Sequence, residues 1–201
     1  MKIHKALYGL LRSALLFYRK LVGDLGSERF TINPYDLCVA NKLINSKQMT
    51  IVWHVDDLKI SHINRFEVTK MLYVLYSLYP GLTVKRGHVH TYIGMEMDFT
   101  EKGKVSIAMQ KYLYNILMEF PEHIGATATS PAADHLFQVR LDDEAQKLPE
   151  TQAIAFHHTT AQLLFLSSRC RQDCQTAVTF LTTRVRAPDE YYWGKLRRVL
   201  K

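Results

Sequence analysis

Two adjacent carboxylates stand in the middle of an otherwise apolar run. Residues 51–60 read IVWHVDDLKI, and Asp56-Asp57 alone separates the β-rich stretches 49–55 and 58–62. That is hairpin spacing with the acids at the apex. Held at the edge of a sheet, two such carboxylates repel each other unless a cation neutralises them, and their hard oxygens suit Mg²⁺. A pair of Mg²⁺ ions could then stabilise the attacking and leaving oxygens of phosphoryl transfer. A solvated Asp-Asp turn is the plain alternative. Other reactive residue types are scattered. Cys170 and Cys174 lie four apart, far from His157-His158 and without a CxxC pair, which reads as a helix face with a buried cysteine rather than a zinc site. There is no Gly-rich phosphate loop, and nothing ties a serine or cysteine nucleophile to one of the nine histidines. At the C-terminal end Arg184, Arg186, Lys195, Arg197, Arg198 and Lys201 could follow a nucleic-acid backbone, or form the solvated face of two helices.

The elements that position these groups can be read from periodicity. Leu7, Leu10, Leu11, Ala14, Tyr18, Leu21 and Leu25 recur at three and four residues, predicting a helix over about 5–25 that Gly26 stops. Asn33-Pro34 marks a turn, a short strand covers about 37–40, and INSKQ turns into the strand leading to the acids. Val68, Met71, Leu72, Leu75 and Leu78 predict a helix ended by Pro80-Gly81, and LTVKRG (82–87) follows as a strand, so strand, helix and strand suggest an α/β unit. Alternation at Ile93, Met95, Met97 and Phe99, a turn at 101–104, and Val105, Ile107 and Met109 predict a second hairpin. A helix carrying Leu113, Ile116, Leu117 and Phe120 comes next. Small residues, Pro and Gly then break all periodicity, giving a linker near 121–155. Helices are expected at about 158–168, 173–185 and 189–200, the last started by Asp189 after Pro188.

Composition sets outer bounds. The 201 residues are 47% hydrophobic and 22% charged, the balance of a globular protein with a sizeable core. Lys and Arg exceed Asp and Glu by 26 to 19, a formal charge of +7 that favours a polyanionic partner. Three cysteines without a short-range framework fit a reduced, intracellular chain. No stretch of about 18 uncharged apolar residues occurs, so no membrane span is expected.

Four segments, in order, resemble the reverse transcriptases of copia-type LTR retrotransposons. KALYGLLRSALLFY (5–18) is similar to the family's Lys-Ala-Leu-Tyr-Gly-Leu motif with its later serine and aromatic-Tyr pair. WHVDDLKIS is similar to the Tyr-Val-Asp-Asp catalytic hairpin. LTVKRGHVHTYIGMEMDF resembles a lysine-bearing strand followed by the primer-grip hairpin, and residues 156–201 resemble the helical tail after the thumb.

By that resemblance Asp56 and Asp57 are the paired catalytic aspartates, with Asp56 the more direct Mg²⁺ ligand. Gly9 and Ser13 belong to a helix beneath the incoming nucleotide and template base, where glycine permits close approach. Tyr8 offers a stacking surface there, an ordinary core tyrosine being the alternative. Lys85 corresponds to a lysine that stabilises or protonates the leaving pyrophosphate, against the alternative of a solvated surface lysine. Tyr92, Ile93, Gly94 and Met95 correspond to the primer grip, or to plain hairpin core. His54 stands where tyrosine is usual and would keep a primer contact as a hydrogen bond. Ala14 replaces a usual proline, and Arg171-Gln172-Asp173 a usual Arg-Pro-Asp. A further catalytic aspartate precedes the first motif in the family, whereas this sequence begins at that motif.

The fold implied is α+β: a partial polymerase palm over 1–108, an antiparallel sheet with helices, followed by an all-α thumb and connection region over 109–201. The function implied is the C-terminal part of an RNA-directed DNA polymerase with a two-metal Mg²⁺ site short of one carboxylate, inactive when alone. Its partners would be an RNA or DNA template–primer, deoxynucleoside triphosphates and N-terminal polyprotein segments, in the cytoplasm within a virus-like particle or in the nucleus. A non-catalytic basic nucleic-acid-binding module is the alternative.

Overall fold

The computed structural model describes residues 11–140 and 146–201. Its contacts divide the chain into two compact units, Met1–Arg86 and Gly87–Lys201. The described residues form six α-helices and two small antiparallel sheets, an α+β arrangement.

In the first unit, helix α1 (Leu11–Ser27) leads into β1 (Thr31–Ile32), β2 (Val39–Ile44), β3 (Lys47–His54), β4 (Asp57–Ser61) and helix α2 (Arg65–Leu78). The four strands pair antiparallel in sequence order. Period-two patterning decides which face is covered: Met49, Ile51 and Trp53 of β3 are buried while Thr50 and Val52 between them are only half-buried. The buried set packs with Leu21 and Leu25 of α1 and with Met71 and Leu75 of α2, residues four apart on one helical face. Asn64 caps α2 by accepting from the Phe66 N–H. Asp24 ties α1 to the end of α2, pairing with Lys20 at 2.6 Å and accepting the Tyr79 hydroxyl at 2.5 Å.

The second unit begins with β5 (Val89–Tyr92), β6 (Met95–Asp98) and β7 (Ser106–Ala108), a three-stranded antiparallel meander, and helix α3 (Gln110–Glu119) follows. After irregular chain come α4 (Glu150–Ser167), a 3₁₀ turn at Gln172–Cys174, α5 (Gln175–Thr182) and α6 (Glu190–Val199). Ile116, Phe156, Val178, Leu181 and Leu196 are fully buried at the centre of the core, and Phe120 stacks on Trp193 at 5.0 Å. Asp189 starts α6 as the sequence predicts, its carboxylate accepting the Tyr192 N–H at 2.8 Å. Glu122 pins the irregular segment to α6 by accepting from Trp193 Nε1 at 2.7 Å and pairing with Arg197 at 2.9 Å.

Several sequence expectations need correction. Residues 82–86 form no strand: flanked by Pro80-Gly81 and Gly87, the two apolar side chains Leu82 and Val84 find no partner strand. The sheets are accordingly antiparallel, with no α/β crossover among the described residues. Ile93 does not continue a strand but turns the chain between β5 and β6, so 89–92, whose alternation is largely polar, is a strand that hydrophobicity alone misses. Met95 packs on the helical core of the second unit, which puts that sheet with the helices and the division at 86/87 rather than 108/109. Helix α4 starts at Glu150 behind Pro149, eight residues earlier than its apolar pattern suggests. The first helix is seen from Leu11 and runs on through Gly26 to Ser27; its predicted start lies outside the described residues.

Candidate catalytic hairpin and basic surface

The β3–β4 register fixes the hairpin. Trp53 pairs with Leu58 and His54 with Asp57, so the two turn residues are Val55 and Asp56, and Asp57 is the first residue of β4. The apex therefore holds one acid, not two. The observed register places Trp53 and Leu58 directly opposite each other on the face turned toward the core; an Asp56-Asp57 turn would pair Trp53 with Ile60 instead and leave the same face inward. Asp57 stands directly opposite His54, and period two places Lys59 and Val52 on the same face as this pair. His54, Asp56 and Asp57 are all exposed.

The turn is strained. Val55 has φ +55°, a left-handed conformation that a β-branched side chain resists. Among the described residues two further two-residue turns have positive φ, and there at both positions, whereas in this one Val55 alone does. Asn45-Ser46 joins β2 and β3 with φ +49° and +61°, and Ile93-Gly94 joins β5 and β6 with φ +50° and +74°. Asn45 is a usual occupant of such a turn. Valine and isoleucine are not, and both stand in segments that the sequence picks out for chemistry. Strain of this kind at an exposed turn is itself a pointer to function, and no sequence pattern marks it in advance.

β4 is the edge of its sheet: among the described residues no strand pairs with it on the side away from β3. Among the described residues there is also no group of three or more His, Cys, Asp or Glu placed to share a metal ion. The hairpin thus offers two consecutive carboxylates beside an uncovered edge.

Of the other predicted site residues, Tyr8 and Gly9 lie outside the described residues. Ser13 is half-buried near the start of α1. Lys85 is exposed in the irregular stretch after α2, not on a strand. Tyr92 and Met95 pair across the second unit's turn, and a Cβ on Gly94 would touch Met109 and Phe165 at 3.8–3.9 Å, ordinary packing distance. This turn therefore rests on core side chains of its own unit.

The basic residues divide by environment. Lys195 is 7% exposed, and its ammonium donates to the Leu136 and Gln138 carbonyls at 2.7 and 2.8 Å. A cation so engaged cannot also follow a nucleic-acid backbone, and burial, reinforced by Arg184 and Arg140, lowers its pKa despite Asp189. Arg197 is committed to Glu122, and Arg184 lies over Phe180 and Tyr192 at 5.2 and 5.7 Å. Arg186 is exposed and Arg198 half-buried. Arg140, which no sequence pattern singles out, lies 4.6 Å over the Tyr191 ring beside them. Cys174 is buried and Cys170 half-buried, with both thiol pKa values raised first by burial. No helix among the described residues is long and apolar enough to cross a membrane.

No protein-family model, curated protein or solved structure matches the chain.

Proposed function

We propose that the chain is part of a copia-type reverse transcriptase in which the β3–β4 hairpin is the metal-binding catalytic turn. The observation that carries this reading is the turn itself: Asp56 and Asp57 are consecutive, exposed and held by a strained Val55 at the end of a sheet whose next position no described strand fills. A divalent cation there would relieve the repulsion between the carboxylates, and two-metal nucleotidyl transfer needs such a rigid oxygen cluster. A third carboxylate on a strand laid along β4 would complete it. With no such ligand among the described residues, the two carboxylates by themselves are expected to bind Mg²⁺ weakly and to support polymerisation poorly.

Mn²⁺, a paramagnetic substitute for Mg²⁺, tests the site directly. At millimolar Mn²⁺ the NMR signals of His54 to Leu58 should broaden selectively, and Asp56→Asn or Asp57→Asn should abolish the effect. Unselective broadening would remove the metal reading. A template–primer extension assay tests the second half: processive extension that vanishes in Asp56→Asn would show a complete site.

A non-catalytic nucleic-acid-binding module is the second reading, favoured by Arg186, Arg198 and Arg140, none of which pairs with an acid among the described residues. Binding of an RNA–DNA hybrid that falls steeply with salt, unchanged by Asp56→Asn and without nucleotide incorporation, would support it.

A further inference from the structure

The second unit contains a cavity of about 530 Å³ between α6 and the irregular segment 131–140. Its volume falls in the range of small-ligand sites, and it stands half open to solvent. Its lining includes five cations and one acid, Glu190. Two of the cations are spoken for, Arg197 by Glu122 and Lys195 by two backbone carbonyls. Lys195 is a positioning residue here: its bonds to Leu136 and Gln138 hold the loop wall against the helix. Arg140, Arg198 and Lys201 remain, with no ion pair among the described residues. Against Glu190 alone, that leaves an excess of positive charge for a ligand to neutralise. The acidic run Asp142-Asp143-Glu144 follows in the sequence outside the described residues, so this balance covers the described lining only.

Gly194 adds a separate observation. It sits in the interior of α6, where glycine is disfavoured relative to alanine, and it lines the cavity. Nothing lies within 4 Å of where its Cβ would stand, so packing against the protein does not explain it. Close approach of a ligand to the helix backbone would.

The geometry points to a binding site for a compact oligophosphate in this cavity, held by Arg140 and Arg198 with Lys201 at its rim. Planar guanidinium groups match phosphoryl oxygens in pairs of hydrogen bonds. The Tyr191 ring beneath Arg140 limits that side chain's freedom before anything binds. Three lining cations, Arg140, Arg198 and Lys201, match the charge of two or three linked phosphoryl groups better than that of one. The site belongs to the second unit alone and does not depend on the reading of the β3–β4 hairpin.

Calorimetric titration of the full chain with inorganic tripolyphosphate, at fixed ionic strength, tests the inference. One saturable site is expected, weakened at least about tenfold by Arg140→Gln combined with Arg198→Gln. Arg65→Gln, which removes a charge from the first unit, should leave the affinity within about twofold. Gly194→Ala should raise Tm by about 2–8 °C, as a better helix former, yet weaken binding; because it stabilises the fold, the loss cannot be blamed on unfolding. Three results would overturn the inference: no saturation, an equal loss in Arg65→Gln, or binding of a nucleic-acid duplex that tripolyphosphate does not compete away.

Discussion

The positive φ of Val55 makes a prediction whose sign is unusual. Within a strand, glycine is about 0.5–1 kcal/mol worse than alanine because it loses more freedom on folding. At a left-handed position alanine itself carries about 1–2 kcal/mol of steric cost that glycine escapes. Subtracting the first range from the second, Val55→Gly should be more stable than Val55→Ala by up to about 1.5 kcal/mol, with a midpoint of about 0.75 kcal/mol. Both variants remove the same branched methyl groups from a side chain that is 53% exposed, so lost packing largely cancels in the comparison. Val52, half-buried in β3 with no positive φ, is the control and should show the ordinary order, alanine above glycine. Urea titration followed by tryptophan fluorescence reads this directly. Trp53 is buried in the first unit and the chain has one other tryptophan, Trp193, so a Trp193→Phe background confines the signal to the hairpin's own core. With m near 1 kcal/mol/M for so small a unit, the Val55 pair should separate by about 0.75 M urea in midpoint. If Val55→Ala matches or exceeds Val55→Gly, the turn is not strained and the argument from strain to function fails.

Three further outcomes follow from specific contacts. Burial opposes ionisation of Asp24, but hydrogen bonds from Lys20 and Tyr79, with the Lys20 charge, outweigh it and hold its pKa below the usual carboxylate value; that stabilisation is present above the unfolded pKa of about 3.9 and is lost as pH falls through the folded value. Tyr79→Phe should therefore raise the Asp24 pKa in a carbon-detected NMR titration and cost about 1 kcal/mol at neutral pH. In the second unit the Arg171 side chain, hydrogen-bonded to Asp173 at 2.7 and 2.9 Å, lowers that carboxyl to about 2; Arg171→Gln should return its midpoint toward 4, and an unmoved midpoint would mean the pair does not form in solution. Lys195→Met should cost about 1–3 kcal/mol by leaving the buried Leu136 carbonyl and the part-buried Gln138 carbonyl without a donor, whereas Arg186→Met, at an exposed position, should shift the thermal midpoint little.

Much of the architecture is legible in residue periodicity, and the failures have physical causes. Helices α2, α3 and α6 are marked by apolar faces and, for α6, by a capping aspartate. The LTVKRG segment has strand composition but no neighbour to pair with, and pairing is a property of the rest of the fold. The hairpin was legible as a hairpin from Asp56-Asp57, yet its register was not: valine is so poor at positive φ that no turn rule would place it there, and core patterning cannot separate the two registers, since an Asp56-Asp57 turn would leave Trp53 and Leu58 on the same face. Among the cations the sequence cannot separate Lys195 from Arg198, since both lie on α6. One is consumed by loop carbonyls 57 and 59 residues away, a contact that chain order does not announce.

The edge of β4, unpaired among the described residues, also bears on solubility. A free edge invites a second copy of the same strand, and the charges on it determine which pairing is tolerated. In a parallel, in-register stack, of the kind that builds fibrils, Asp57 would face Asp57 and Lys59 would face Lys59, repelling at both positions. In an antiparallel pair centred on Leu58, each Asp57 would instead meet a Lys59. The edge is therefore guarded against open-ended stacking while permitting a closed, two-copy pairing, so self-association through it would stop at a dimer.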